Sequence, residues 1–536
     1  MTAVAAVFGV PPLRRLELAF LGFGVAERAA YVAILVYAYR VGGSATVGVV
    51  AAVQLLPAAV AAPLIATAAD RMPRHRALTI GYLSQAGAAG LTGWAMASAA
   101  APPLVVALAA LTAILITATR PAHTAVIPEL SDGPDQTVAA NVVTSMEEGV
   151  AGLAGPLIAG LLLGTGDPSS VFLAMAAVLA VSAVVVAGVS GAAGPALVKR
   201  VSGFRTLVGG LTMVLSDRRA GAIVGLGGVK AIVEGALGVL VVVLAIELLG
   251  IGEPGVGYLG AIVGVGALLG AMASAGLVGR RRLARSLLVG ALAEGMSISA
   301  VGLLPGAAPL LAVTGGAGGL VNVAGRTLLQ RLASREVMAR VFGVLEGLAM
   351  AGLAIGALLA PVLIDWVGGR GALVVVGLLL PVAAIVAWPV IRHADISVGA
   401  AEVEIEIIER VAMLRPLDPP TLEGLALGSH LENVERGRVV IKQGDPGDRV
   451  YVIDTGRYDI IFDGRLVNTL ESGDVFGEIA LIADVPRTAT VLAVEGGRLL
   501  AIDRATFLET LAHCPGTLAT FEGVVGRRLS GLDGHG

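Results

Sequence analysis

The chain has 536 residues, of which 56% are hydrophobic and 14% charged, with a mean hydropathy of +0.87; that balance excludes a wholly water-soluble protein. Its 37 basic and 40 acidic residues leave a net charge of −3, which excludes the basic surplus that duplex nucleic acid demands. The single cysteine, Cys514, leaves no internal disulfide framework and no multi-cysteine zinc site.

In chain order, Arg14 and Arg15 precede an apolar helix that contains its own charges, so a retained first span is expected rather than a cleaved signal. From about Leu16 to Ile391 the sequence is a succession of Ala/Gly/Val/Leu stretches of roughly 20 residues, each long enough to cross a hydrocarbon core about 30 Å thick. Counting them predicts twelve helices, at about 16–40, 44–69, 77–99, 102–126, 138–163, 168–193, 219–249, 254–279, 286–305, 308–332, 338–364 and 371–391. The longest interruption, 194–218, divides them six and six. It mixes Lys199, Arg200 and Arg205 with Phe204, Leu207, Val208 and Leu211, a pattern for an amphipathic helix on the membrane surface.

Basic residues fix the expected orientation. With the N-terminus in the cytoplasm, that side collects 18 basic residues and the opposite side only Arg40 and Arg370, as the positive-inside rule requires. An even number of spans then returns the C-terminal region to the cytosol. The expected organisation is an N-terminal bundle at 1–193, a cytoplasmic linker at 194–218, a second bundle at 219–393, a linker at 394–411 and a soluble domain at 412–530.

Several motifs in the spans point further. Asp70-Arg71-Met72-Pro73-Arg74-His75-Arg76 joins spans two and three, and Gly276-Leu277-Val278-Gly279-Arg280-Arg281-Arg282 stands at the equivalent place in the second half. Span five carries Gly152-Leu153-Ala154-Gly155-Pro156-Leu157-Ile158-Ala159-Gly160. With the six-plus-six arrangement these resemble the major facilitator superfamily, in an exporter-like branch. Ala66 and Pro73 stand where that family usually has glycine, and the second-half loop lacks the aspartate. The resemblance implies a pseudo-symmetric, polytopic all-α membrane domain. It implies a gating loop at Asp70, Arg71 and Arg74, and a cavity lined by spans one, four, seven and ten.

Charged residues within spans are costly, about 2.5–3.5 kcal/mol each on insertion scales, so they are paired or face water. Glu27, Arg28, Arg120, Lys230, Glu234 and Arg326 fall on the four cavity spans, and Glu147, Glu148, Glu294 and Glu346 on others. Two readings stand for the carboxylates. Glu27 or Glu234 can bind and release a proton as access alternates, or Lys230 and Glu234, four residues apart, simply neutralise each other. His75 and His123 read as interfacial.

Past Arg410 the pattern changes to short β-rich runs, 439–441, 450–453, 458–462, 490–494 and 498–502, separated by Gly/Asp/Pro turns. Together they predict a β-jelly-roll with flanking helices. The segment Phe476-Gly477-Glu478-Ile479-Ala480 through Arg487-Thr488-Ala489 closely resembles the phosphate-binding cassette of cyclic-nucleotide-binding domains of the catabolite-activator and protein-kinase-regulatory type. The resemblance covers about 412–530 and implies cAMP or cGMP as regulatory ligand. In that reading Arg487 offers a guanidinium fork to the cyclic phosphate and Glu478 accepts the ribose 2′-hydroxyl. Gly477 permits close backbone approach, a short helix aims N–H groups at the anion, and Ala480 and Thr488 line the phosphate. Six residues follow Ser530, too few for a helix-turn-helix, so a transcription-factor role is not expected.

The leading expectation is a secondary transporter in the cell inner membrane, extruding a small amphiphilic molecule against protons and regulated allosterically by cytosolic cyclic nucleotide. The alternatives are a membrane-anchored nucleotide receptor without transport and a lysophospholipid transporter. No nucleophile-base set, metal cluster or nucleotide-hydrolysing loop is legible, so no enzyme, cofactor or metal is expected, and the partners are cyclic nucleotide, cargo and lipid.

Overall fold

The computed structural model describes residues 7–69, 73–117, 119–131, 134–189, 218–275, 283–332, 335–399, 402–411, 413–414, 417, 419–513, 521 and 523. The chain divides into two compact units, Met1–Arg392 and His393–Gly536.

The first unit is helical. Its elements are α1 (Pro11–Ala69), α2 (Arg74–Ala97), α3 (Pro102–Ile116), α4 (Thr119–Leu130), α5 (Pro134–Thr165), α6 (Pro168–Ala187), α7 (Arg218–Val243), α8 (Gly252–Ala275), α9 (Leu283–Leu303), α10 (Leu311–Leu332) and α11 (Arg335–Gly399). A π turn at Leu244–Leu248 extends α7. Two of these helices are broken. In α1 the backbone leaves helical geometry at Gly42 and Gly43, with Gly43 at φ 66, and in α11 at Gly368, φ 73. Both breaks use the left-handed region open to glycine. They fall where the sequence expects the loops between spans one and two and between eleven and twelve.

Among the described residues, nine helical segments are long and apolar enough to cross a membrane. Two of them, Pro11–Ala58 and Val344–Arg392, run to 48 and 49 residues and contain those breaks, so each has the length for two passes. The less apolar α2 is not among the nine. The predicted amphipathic linker at 194–218 lies outside the described residues except for Arg218, which opens α7.

Small residues set how closely the helices approach. A Cβ added to Gly264 or Gly257 of α8 would strike the backbone of α5 at Gly152, Pro156 and Gly160, so the Gly-Pro run of span five is one side of a backbone-to-backbone crossing. At one end of the unit, Arg40 ties the halves together. It donates to both carboxylate oxygens of Glu253 at 2.5 and 2.6 Å and to Asp167 at 2.6 Å, while Tyr39 donates to Glu247.

The second unit contains α12 (Glu402–Arg410), α13 (Pro419–Leu427), eight strands, α14 (Glu478–Ile482) and α15 (Arg504–His513). The strands are β1 (Ser429–Val434), β2 (Val439–Ile441), β3 (Arg449–Thr455), β4 (Tyr458–Phe462), β5 (Arg465–Leu470), β6 (Val475–Phe476), β7 (Thr490–Ala493) and β8 (Gly497–Asp503). They form two antiparallel sheets, in orders β1-β8-β3-β6 and β2-β7-β4-β5. Alternation along β3 builds two cores. Tyr451 and Ile453 point between the sheets with Tyr458, Phe476 and Leu499, whereas Val450 and Val452 face α12, α13 and α15 through Ile407, Ile408, Leu425 and Phe507.

Gly257→Val overpacks the α5–α8 crossing and destabilises it by about 1–3 kcal/mol. The expected readout is an earlier melting transition of the purified full-length protein, with Gly228→Val, a position with open space around its Cβ, as the control.

Candidate functional site

Two sites take shape, one in each unit. In the membrane unit a cavity of about 470 Å³ is walled mainly by Ala30, Leu55, Ala109, Ile116, Phe172 and Met350, with Glu27, Tyr31, Gln54, Thr112, Thr117, Arg120 and Glu346 as its polar points. Arg120 is the centre of a network. It donates to Glu27 at 2.7 Å and also to Glu148, and its guanidinium carbon lies 6.0 and 5.8 Å from the rings of Phe20 and Phe23. That places a cation over two aromatic faces as well as between two carboxylates.

The predicted cavity residues therefore separate. Glu27 and Arg120 meet and line the cavity. Arg28 lies on another face of α1, at a void of about 10 Å³ beside Glu147 and Glu148. Lys230 and Glu234 pair within α7, as one of the two sequence readings has it, and Lys230 also lies 3.8 Å from Glu294 of α9. Neither is among the residues that line this cavity. Arg326 stands 3.7 Å from Glu346, which does line it. Of the gating loop, Asp70, Arg71 and the Arg74 side chain lie outside the described residues.

His123, expected at the membrane interface, is fully buried among the helices and stacked on Phe20 with ring centroids 3.9 Å apart. Sequence reasoning also passed over Glu17, which is fully buried beside it.

In the barrel, β6 ends at Phe476 and the chain turns through Gly477, φ 86, into the five-residue α14. A Cβ on Gly477 would lie 2.6 Å from Arg487 Nη1, so both the backbone angle and the packing select glycine. Arg487 is buried under this turn. Its Nη1 donates to the Gly477 carbonyl at 2.9 Å, and its Nη2 to the Arg449 carbonyl at 2.8 Å and to Asp448 Oδ1 at 3.2 Å. Those three bonds use three of the five guanidinium N–H donors. Burial pulls the guanidinium below the ordinary arginine value, and the Asp448 carboxylate opposes that pull.

The backbone also holds Arg487 in place: its N–H donates to Asp445 at 2.8 Å and its carbonyl accepts from Gly444 at 2.9 Å. The predicted turn Gly444-Asp445-Pro446-Gly447-Asp448 is thereby docked on the cassette, where Gly447 meets Ala480 with no room for a Cβ. Glu478 is buried at the start of α14. Ile479, Ala480 and Ala489 are buried and Thr488 is half-exposed. Phe476 departs from its expected place in the binding set. Its ring is packed in the barrel core, stacked on Tyr451 at 5.2 Å and tilted against Tyr458 at 5.9 Å, because a strand residue at this register points between the sheets.

A third cluster joins α12 to the barrel. Asp454 of β3 is buried and accepts from Arg410 Nη1 at 3.2 Å and from Arg498 Nε at 2.6 Å. Asp454→Ala leaves two guanidinium groups without their shared carboxylate, at a cost of about 1.5–3 kcal/mol. Hydrogen exchange of the α12 amides in the full-length protein is expected to rise roughly tenfold or more.

Comparison with known proteins follows the same division. The family model of the Major Facilitator Superfamily matches residues 16–344, and that of the Cyclic nucleotide-binding domain matches residues 431–514. The cAMP-dependent protein kinase type II regulatory subunit of Drosophila melanogaster is 36% identical over 107 residues, which are 20% of this chain and 28% of that protein. The cAMP-dependent protein kinase regulatory subunit of Dictyostelium discoideum is 37% identical over 112 residues, 19% of this chain and 34% of that one. The cGMP-dependent protein kinase of Toxoplasma gondii is 38% identical over 96 residues, 18% and 10% respectively. The chain thus spans about a third or less of the length of these relatives. Among solved structures, cAMP bound PfPKA-R (141-441) is 24% identical, covering 27% of this chain and 49% of that chain with a TM-score of 0.24.

Proposed function

The chain belongs to the Major Facilitator Superfamily, and from that premise we propose that it is a proton-coupled secondary transporter that exports a small amphiphilic molecule and is regulated by cAMP or cGMP. The observation that carries the reading is the presence in one chain of two sites of complementary character. One is an apolar cavity with a fixed Glu27–Arg120 pair. The other is a barrel that buries Arg487 beneath a glycine turn.

The cavity suits an amphiphile. Its walls are largely apolar, and its carboxylates, Glu27 and Glu346, offer charge to a cationic head. The ion pair of Arg40 with Glu253 closes the halves at one end, with Asp167 of the first half holding Arg40 in place, and alternating access requires that this end open in turn. By the family resemblance the gating loop is Asp70, Arg71 and Arg74. The protein sits in the cell inner membrane with twelve crossings, both termini and the barrel in the cytosol.

In the barrel Arg487 supplies the charge for the cyclic phosphate. It has two N–H donors beyond those bound to Gly477, Arg449 and Asp448, and the fork geometry suits paired phosphate oxygens. A five-residue helix carries little macrodipole, so the guanidinium outweighs α14 in binding the anion. Glu478 takes the ribose hydroxyl, with Gly477, Ile479, Ala480, Thr488 and Ala489 around it. Nucleotide binding reaches the membrane unit through α12, whose Ile407 and Ile408 enter the barrel-side core and whose Arg410 is held by Asp454. A coupling of about 1–3 kcal/mol on the inward/outward equilibrium is the scale expected of such a link.

Calorimetric titration of cAMP and cGMP into the purified full-length protein tests the sensor. One of the two is expected to bind, and Arg487→Lys, which keeps the charge but loses the fork, is expected to weaken it about 10- to 100-fold. No binding of either removes the nucleotide from the proposal.

Proteoliposomes test the transporter. Efflux of a fluorescent amphiphilic cation is expected to follow an imposed pH gradient, to change several-fold with the bound nucleotide, and to fall at least tenfold in Glu27→Gln. Flux indifferent to the pH gradient removes proton coupling.

A further inference from the structure

A second group of charges lies in the other half of the membrane unit. Lys230 of α7 and Glu294 of α9 are each 3% exposed. Lys230 Nζ donates to Glu234, one turn on along α7, and stands 3.8 Å from Glu294 Oε1. The other oxygen of Glu294, Oε2, is buried without a hydrogen-bond partner among the described residues. Two carboxyl groups therefore share one cation, and that cation is hydrogen-bonded to Glu234 alone.

The other basic residues of the helices packed here stand farther off. On α10 the Glu294 carboxyl lies against Gly318, where an added Cβ would come 3.2 Å from Oε1. Arg326 and Arg331 of that helix follow more than two turns later, and Arg326 stands 3.7 Å from Glu346. α11 crosses α9 where Gly377 and Pro381 meet Gly295, and it has no titratable side chain between Arg370 and Arg392. Arg370 donates to the carbonyl of Gly302, more than two turns along α9 from Glu294. Arg285 on α9 and Arg218 and Arg219 on α7 precede Glu294 and Lys230 by more than two turns. Ser297 Oγ donates to the Glu294 backbone carbonyl at 2.8 Å and lies 2.8 Å from Thr314 Oγ1, so that hydroxyl is not spent on the carboxyl.

A buried carboxylate with one bare oxygen and its cation bonded elsewhere carries an uncompensated desolvation cost, which a carboxylic acid in its place avoids. Lys230 and Glu234 charged with Glu294 protonated sum to zero; loss of the proton leaves one negative charge in excess. Lys230 then has only about 1 Å to close for a charge-assisted hydrogen bond to Glu294, and closing it draws the ammonium away from Glu234. The side chain of Glu234 is 45% exposed. Its stripe of α7 continues one turn on to Gly238, where a Cβ would lie 3.0 Å from the hydroxyl of Tyr31, a residue of the cavity wall. That stripe thus turns toward the first half, on the cavity side.

We infer that Glu294 is a proton-binding group that shares Lys230 with Glu234: with the proton on Glu294, Lys230 pairs with Glu234, and without it Lys230 moves to Glu294 and frees the Glu234 carboxylate. The step is a plain proton transfer. The Glu294 O–H bond breaks, its electron pair stays on the carboxylate, and a water entering past Glu234 takes the proton and leaves as hydronium. This deepens the proton-coupled reading, on which it rests for its use in transport. It puts the proton on Glu294 instead of Glu27, which Arg120 holds as a carboxylate.

Infrared difference spectroscopy of the full-length protein in lipid, stepped through pH, tests the exchange by the carboxylic-acid C=O band of a protonated, buried carboxyl. The wild type is expected to show the band, downshifted in D2O. Glu294→Gln removes the acid itself, and Glu234→Gln leaves Lys230 to Glu294 alone, so both are expected to lose most of the band while Glu27→Gln retains it. The loss in Glu234→Gln is the mark of a shared lysine, since a purely structural Lys230–Glu234 pair has no hold on the proton of Glu294. Gly318→Ala, which crowds Glu294 Oε1, is expected to shift the band without abolishing it. Absence of the band from the wild type, or its survival at full amplitude in either glutamine variant, overturns the proposal. Where a glutamine variant does not fold, the wild type and Gly318→Ala decide: no band, or a band unmoved by the added methyl, overturns it.

Proton-driven flux is a separate readout. A band lost in both glutamine variants, with no flux in the wild type, supports the exchange and removes the coupling to transport. Flux with the band intact in both variants keeps that coupling and removes the exchange.

Discussion

A charge in hydrocarbon has to be matched, at a cost of several kcal/mol otherwise, and the membrane unit is arranged around that constraint. Arg120 is the clearest case. Held between Glu27 and Glu148 and over two phenylalanine rings, it fastens α4 to α1 and α5 and so fixes one wall of the cavity. Arg40 applies the same chemistry at one end of the unit, where a bidentate pair with Glu253 joins the two halves. Half-exposed ion pairs of this kind are individually weak. That suits contacts which must break and re-form as halves rock, whereas the glycine crossings of α5 and α8 depend on packing alone.

The barrel meets the constraint in a different way. Arg487 is buried, yet only one of its partners, Asp448, carries charge, and the other two are backbone carbonyls. Carbonyls orient a guanidinium without cancelling it. The result is a guanidinium oriented by two carbonyls and paired with a single carboxylate, with two of its N–H donors left over. Asp454 is the opposite: a buried carboxylate answered by both Arg410 and Arg498 is a structural joint, and it ties α12 to the sheet.

Much of this was legible in the sequence where local chemistry decides it. The breaks at Gly43 and Gly368 fell where apolar stretches too long for one crossing had to turn, and five of the eight strands were visible as β-rich runs. The strands β1 and β5 were not, since Ser429–Val434 and Arg465–Leu470 are largely polar and partly exposed. Their pairing is supplied by β8 and β4, and the β4–β5 turn at Asp463-Gly464 is the one local signal that could have revealed the second of them. The contacts of Glu17 were hidden for a different reason. Glu17 and His123 come from two helices, and near a helix end a lone charge or histidine reads as interfacial. Only packing shows that they lie 3.5 Å apart.

The two halves of the membrane unit also match their buried charges differently. On α7 and α9, one lysine lies between two carboxylates, Lys230 with Glu234 and Glu294. In the first half the charges are spread over three helices: Arg120 of α4 is held by Glu27 of α1 and Glu148 of α5, and Arg28 lines the small void beside Glu147 and Glu148. An ion pair within one helix moves with that helix, whereas pairs between helices must stretch or break when the helices shift. By that criterion the approximate symmetry of the spans conceals a difference, with the first half tying its helices together through charge and the second half pairing Lys230 and Glu234 on a single helix.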